Sequence, residues 1–270
     1  MSPKYYLFFL GLFLCKHASA QNGLDEMIRA EKSFAAYSVL HGTKEAFLRF
    51  ADTASTLFTN GEPVNGYQLW QSRENKPGVL NWRPRYAEIA ASGDFGYTCG
   101  PWTFQPGTTE DKVIANGYYF TVWKKNSAGE WKFMLDIGAD TGPAMNDTAE
   151  IVQHAETRKG VEITMLEAEA DFSRHYKMDS VNAYALFASE KALFAREGTG
   201  IEKEPKQIQS PSNANEGQIS FSALGSGLAP SGDLGFVYGT ATLNGKKEGY
   251  LRIWRNESRG WKLALQLVRL

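Results

Sequence analysis

Ser92-Gly93-Asp94-Phe95-Gly96-Tyr97-Thr98-Cys99-Gly100 and, 139 positions later, Ser231-Gly232-Asp233-Leu234-Gly235-Phe236-Val237-Tyr238-Gly239 are two versions of one segment. Downstream, Gly117-Tyr118-Tyr119-Phe120-Thr121-Val122-Trp123 matches Gly249-Tyr250-Leu251-Arg252-Ile253-Trp254 with one residue deleted. Gly129-Glu130-Trp131-Lys132-Phe133-Met134-Leu135 then matches Arg259-Gly260-Trp261-Lys262-Leu263-Ala264-Leu265, and upstream Ala46–Ala51 lines up with Ala183–Ala188. Matches in the same order across more than about 100 residues mark a duplication, the feature to look for before any motif.

Each copy has the same plan. Leu24, Met27, Ile28, Phe34 and Tyr37 recur at helical spacing within Gly23–Phe50, with Thr43–Phe50 a second short helix. Residues Val161–Tyr176 and Ser180–Leu193 repeat the pattern, with Asp179 as an N-cap. Strand-like runs follow at Val79–Ala90, Gly96–Phe104, Ile114–Lys124 and Trp131–Gly138, divided by turns at Ser92-Gly93-Asp94, Gln105-Pro106-Gly107 and Asn126–Gly129. Helices followed by antiparallel strands predict an α+β fold, helices packed on one face of a curved sheet. The expected division is a leader over 1–20, a first domain over 21–140, a linker over 141–160 and a second domain over 161–270.

The chain has 270 residues, 43% hydrophobic and 22% charged, a composition that excludes wholesale disorder. A net charge of −1 with no basic run excludes the cationic patch that nucleic-acid binding requires. Lys4, the apolar run Tyr5–Leu14 and Ala18-Ser19-Ala20 read as a secretory signal peptide cut before Gln21; the run is too short for a membrane span. The expected location is periplasmic or extracellular. Lipidation at Cys15 is the alternative, although Phe13-Leu14 are bulky where such a signal wants small residues. Removing the leader takes Lys4 and Lys16 from 29 basic residues against 30 acidic, leaving −3 and a single thiol, Cys99. Cys99 lies mid-strand with no histidine nearby in sequence and reads as a buried, inert thiol.

The repeated motif Gly-Asp-(Phe/Leu)-Gly-(Tyr/Phe), with Gly-Tyr, Trp and Trp-Lys after it, resembles the nuclear transport factor 2-like superfamily, closest to its SnoaL-like and uncharacterised secreted bacterial branches. The resemblance covers nearly all of the chain after the leader, twice. It implies two tandem cones, each a bent antiparallel sheet around helices with a pocket at the open end. It also implies domains that pack on each other as an intramolecular dimer. Its members range from ketosteroid isomerase, cyclases and dehydratases to non-catalytic modules, so fold does not name function.

The first copy has the richer polar set. Alternation along Leu80–Tyr86 puts Trp82 and Tyr86 on one face, Arg83 and Arg85 on the other. The two arginines either clamp an anion or are solvated or ion-paired. Asp136 alternates with Lys132 and Met134; facing an aromatic cavity, it would have a raised pKa and could act as a base, with Tyr119 or Tyr86 supplying a hydroxyl. The other reading of Asp136 is an ordinary strand carboxylate. Asp94 and Asp233 occur in both copies and read as turn residues. His41, His154 and His175 lack partners at metal-ligand spacing, so neither a metal nor a cofactor is expected.

In the second copy Phe221 takes the place of Trp82, Ala223 of Pro84, Gly225 of Tyr86 and Gln266 of Asp136. A pocket is therefore expected in the first domain, lined by Trp82, Tyr86, Tyr119 and Asp136, with Phe221, Leu251 and Gln266 in the matching region of the second. Three functions stay open: an exported binder of a small apolar or amphipathic ligand, a scaffold with both cones filled, or an isomerase-, cyclase- or dehydratase-like enzyme with Asp136 as base.

Overall fold

Gly42 adopts φ 89°, a left-handed turn that a β-carbon disfavours, and it divides two helices, α1 (Lys4–His41) and α2 (Thr43–Phe50). The computed structural model describes residues 4–141, 151–154, 164–201 and 218–270, with side chains from residue 20 onward except those of 152–154. The Cys15 and His154 side chains, and most of the expected linker, therefore lie outside the described residues. Among the described residues no helix is long and apolar enough to cross a membrane.

After α2 come β1 (Ala51–Thr59), β2 (Glu62–Asn65), α3 (Gly66–Ser72), β3 (Val79–Trp82), β4 (Tyr86–Ile89), β5 (Phe95–Gln105), β6 (Ala115–Lys125), β7 (Trp131–Asp140) and β8 (Val152–His154). The second half has α4 (Met165–Met178), α5 (Ser180–Phe187), β9 (Ala188–Arg196), β10 (Ser220–Leu228), β11 (Leu234–Leu243), β12 (Lys246–Glu257) and β13 (Gly260–Val268). Asp179 caps α5 as expected, accepting from the Asn182 amide, and Thr164 with Glu167 forms a capping box on α4. The architecture is α+β in two tandem units. One sheet runs β2-β1-β7-β6-β5-β4-β8 with β3 also on β5; the other runs β10-β11-β12-β13-β9.

Three expectations need correction. The helix expected over Ser180–Leu193 ends at Phe187, and Ala188 begins a strand just as Ala51 does after Phe50. The sheets are mixed, because β1–β7, β9–β13 and β4–β8 pair in parallel. Part of the expected linker is β8, a strand of the first sheet.

Register makes the duplication residue-exact. Gly96 faces Trp123 and Gly235 faces Trp254; Thr121 faces Asp136 and Arg252 faces Gln266. The same ladders make Tyr119 correspond to Tyr250 and Trp131 to Trp261, so the deleted residue falls just after Gly117. Both halves also share two bulges. Trp82 and Tyr86, four apart, face Trp102 and Cys99, three apart; Phe221 and Gly225 face Ala241 and Tyr238 in the same way. A second slip falls between Val122 and Trp123, and its twin between Ile253 and Trp254.

Each extra residue turns the rest of its strand over, because side chains alternate with period two. Phe133 therefore packs against the helices, while Leu135, Ile137 and Ala139 beyond the bulge join a cluster on the opposite face. That cluster draws on both sheets: Phe95 stacks on Phe236 at 6.1 Å between ring centres, and Leu135 and Ile137 share it with Leu251 and Leu265. The helix-side cores are separate, one around Phe34, Trp82, Trp123 and Phe133, the other around Phe172, Tyr184, Trp254 and Leu263.

Candidate functional site

Glu31 on α1 is fully buried inside the first cone and accepts three hydrogen bonds. The Trp82 indole donates to Oε1 at 2.5 Å, and the Trp123 indole (2.8 Å) and the Thr98 hydroxyl (2.5 Å) donate to Oε2. Burial pushes its pKa up against the pull of those donors. The bulge beside Trp123 aims Asp136 to the same side of the sheet as Phe133, correcting the alternation that grouped it with Lys132 and Met134. There Thr121 Oγ1 donates to Asp136 Oδ2 at 2.6 Å. Burial raises the Asp136 pKa to about 7, with the Thr121 bond pulling down and Glu31 pushing further up.

Asp136, Tyr119 and Trp82 share a cavity of about 220 Å³ with Phe34, Leu80 and Trp102, and Gly138 and Asp140 stand farther along β7. The Tyr119 ring lines the wall and its hydroxyl is buried; burial first, then Glu31, pushes its pKa well up, against a hydrogen bond with Thr98 that pulls down. Three of the four expected lining residues thus meet. Tyr86 does not. The bulge at residues 83–85 sends it to the cluster shared by the two sheets, with the Arg85 guanidinium 5.0 Å from its ring centre. Arg83 and Arg85 flank that bulge, their backbone amides donating to Pro101 and Cys99 carbonyls, and neither lines the cavity.

The second cone is built on the same frame and filled. Glu169 accepts from the Trp254 indole at 2.8 Å, as Glu31 does from Trp123. At the Thr121 position stands Arg252, fully buried, whose Nη1 is ion-paired with Glu169 Oε1 and whose Nε donates to Gln266 Oε1 at 2.7 Å. Its guanidinium carbon lies 4.4, 4.0 and 4.7 Å from the ring centres of Phe172, Phe221 and Tyr250. Val268 and Leu270, both buried, replace Gly138 and Asp140. Gln266 and Phe221 lie where expected, but Leu251 faces the shared cluster, and Tyr250 takes the Tyr119 role.

The acids on α1 and α4 and the arginine on β12 escape a reading confined to strands. Their signal was present: Ala30-Glu31-Lys32-Ser33-Phe34 and Ala168-Glu169-Ala170-Asp171-Phe172 share Ala-Glu-x-x-Phe at an offset of 138. Asp94 and Asp233 follow glycines at φ 72° and 71°, as turn residues should, and Asp233 Oδ2 also accepts from the Ala91 amide of the other half at 3.0 Å. No group of three or more His, Cys, Asp or Glu able to hold a metal occurs among the described residues. His175 Nδ1 lies 2.8 Å from the Asp171 backbone oxygen, and Cys99 is fully buried, its pKa pushed well up by burial.

The sequence matches no family model and no curated protein. Among solved structures, the chain is similar to an NTF-2 like protein of unknown function from Shewanella oneidensis MR-1, at 16% identity over 43% of this chain and 98% of that one, TM-score 0.34. It is similar to an NTF2-like protein from Cytophaga hutchinsonii, at 14% identity over 39% and 95%, TM-score 0.33. A third likeness is to a protein of unknown function with a cystatin-like fold from Nostoc punctiforme, at 13% identity over 45% and 92%, TM-score 0.34.

Proposed function

We propose that the first cone binds a small amphipathic molecule in the cavity bounded by Trp82, Tyr119 and Asp136, and that the second cone is its fixed packing partner. The observation that carries this reading is the contrast between the copies: one frame, open at about 220 Å³ in the first and plugged by Arg252, Val268 and Leu270 in the second. That volume lies below the roughly 300–1,000 Å³ of drug-sized pockets, whereas an apolar cavity of about 150 Å³ holds benzene, so the ligand is about one ring in size. Fusion keeps the partner at high effective concentration. Native mass spectrometry of protein purified from its own host should find a retained species of that size; repeated recovery of bare protein counts against the reading.

Export with cleavage before Gln21 belongs to the same proposal, and N-terminal sequencing tests it: Met1 retained, or an acylated Cys15, contradicts it. A second reading has one observation in its favour. A carboxyl with a pKa of about 7 lining an aromatic cavity is suited to proton abstraction from a carbon acid. Deuterium exchange into a captured ligand, absent in Asp136→Asn, would favour catalysis over binding.

A further inference from the structure

Resting on the reading of the first cone as a ligand site, we infer that its ligand is an organic cation, an ammonium or guanidinium group on a body of about one ring, and that Arg252 in the second cone marks where that charge sits.

The duplication supplies a worked comparison. In the second cone a guanidinium occupies a seat of three rings, Phe172, Phe221 and Tyr250, with Glu169 receiving Nη1 and Gln266 receiving Nε, while Nη2 is buried with no acceptor among the described residues. Every part of that seat has a counterpart in the first cone. Phe34 follows Glu31 by three residues as Phe172 follows Glu169; Trp82, Tyr119 and Asp136 stand at the ladder positions of Phe221, Tyr250 and Gln266. Trp82 meets Tyr119 with ring centres 6.3 Å apart at 62°, and Phe221 meets Tyr250 at 5.1 Å and 75°. What differs is the occupant: Thr121 ends where Arg252 extends into the cage, and the Trp82 indole takes the Glu31 oxygen that corresponds to the one paired with Arg252 Nη1.

The charges point the same way. Arg252 neutralises Glu169, whereas no cationic side chain pairs with Glu31 or Asp136 among the described residues. Replacing Gln266 by Asp136 gives the first seat one carboxyl more than the second. Glu31 has both oxygens engaged and acts through its field; Asp136 has Oδ1 left for a donor from the cavity, since Thr121 takes Oδ2. Tyr119 contributes its ring to the same wall. A cation seated among aromatic faces, away from water, gains from the ring quadrupoles as well as from the carboxylate. The apolar remainder of the cavity, Leu80 and Trp102, suits the body that carries the charge.

Three probes of nearly equal size separate the possibilities by calorimetric titration of the wild-type protein at about pH 8: benzylammonium, neutral benzyl alcohol and anionic benzoate. Benzylammonium should bind at least about tenfold more tightly than benzyl alcohol, and benzoate should not bind. In Asp136→Asn the preference for benzylammonium should fall to within about threefold. Benzyl alcohol or benzoate binding as tightly as benzylammonium overturns the cation assignment and leaves the small-ligand cavity standing. Failure of all three to bind overturns both. Retention of the full preference in Asp136→Asn overturns the seat described here.

Discussion

Arg252 on β12 occupies the ladder position that Thr121 holds on β6, each directly across from the residue, Gln266 or Asp136, that has diverged with it. The two exchanges belong together. A neutral amide accepts from Arg252 Nε without adding a second buried acid beside Glu169; a hydroxyl in place of the guanidinium leaves space and an acid lining it. One frame thus yields a closed, self-neutralised cone and an open, acidic one.

The open cone should make stability depend on pH. Burial pushes Asp136 up to about 7 in the folded protein, against an ordinary aspartate value of 3.8 in the unfolded chain, so between those values the native state holds the extra proton. Stability therefore falls as pH rises from about 4 to about 7 and levels off above. Glu31, also raised, adds in the same direction. The groups acting on Asp136 are Glu31 from α1 and Thr121 from β6, and Asp136 in turn acts on Tyr119 of β6. Thermal melts of Asp136→Asn should gain on wild type as pH rises from about 5 to about 8; an offset independent of pH contradicts a raised Asp136 carboxyl.

The closed cone should react differently to loss of its acid. Glu169→Ala strands Arg252 without a counter-charge among three rings, and breaking such a buried pair costs about 3–5 kcal/mol. Adding Arg252→Met to that variant should recover part of the loss, because an apolar chain then fills the cage. Urea denaturation measures both, and no recovery in the double variant would show that the cage does not tolerate an apolar filling.

How much of this was legible beforehand follows from one physical rule and its exceptions. The two units, the paired helices opening each, the first unit's run of strands from β3 to β7 and the Asp136-to-Gln266 exchange were readable because a duplication aligns residues without any knowledge of contacts; β1, β2, α3, β8 and β9 were not. The faces of Tyr86 and Leu251 were not. Strict alternation carries a side chain to the correct face only until a bulge intervenes, and a bulge has no reliable residue signature. Tyr86 lies just past one, and Leu251 was misaligned by the residue deleted after Gly117. Glu31 and Glu169 look like solvated helix charges until the indoles of Trp123 and Trp254 are found pointing at them.

The two halves are joined by a buried ion pair as well as by apolar contact. Arg255 on β12 donates to Glu88 on β4 through Nε and, at 2.6 Å, through Nη2, and the Tyr97 hydroxyl donates to Glu88 at 2.9 Å. Arg255→Ala leaves Glu88 buried and uncompensated and should cost about 3–5 kcal/mol. Because one apolar cluster includes both sheets, calorimetry should show one unfolding transition for wild type and one, at lower temperature, for the variant. Two resolved transitions in wild type would contradict the shared core.

The central claim is that the first cone is an open ligand site and the second a closed copy of it. Gly138→Val tests it most directly, by installing the residue that helps close the second cone. A β-carbon at Gly138 meets only ordinary contacts, Trp102 Nε1 and the Tyr118 oxygen both at 3.5 Å, so the variant should fold with a melting temperature close to wild type. Titrated side by side with benzylammonium and benzyl alcohol, wild type should bind at a single site and Gly138→Val at least about tenfold more weakly, through loss of cavity volume. Equal binding by a folded Gly138→Val protein would place the ligand elsewhere and contradict the claim.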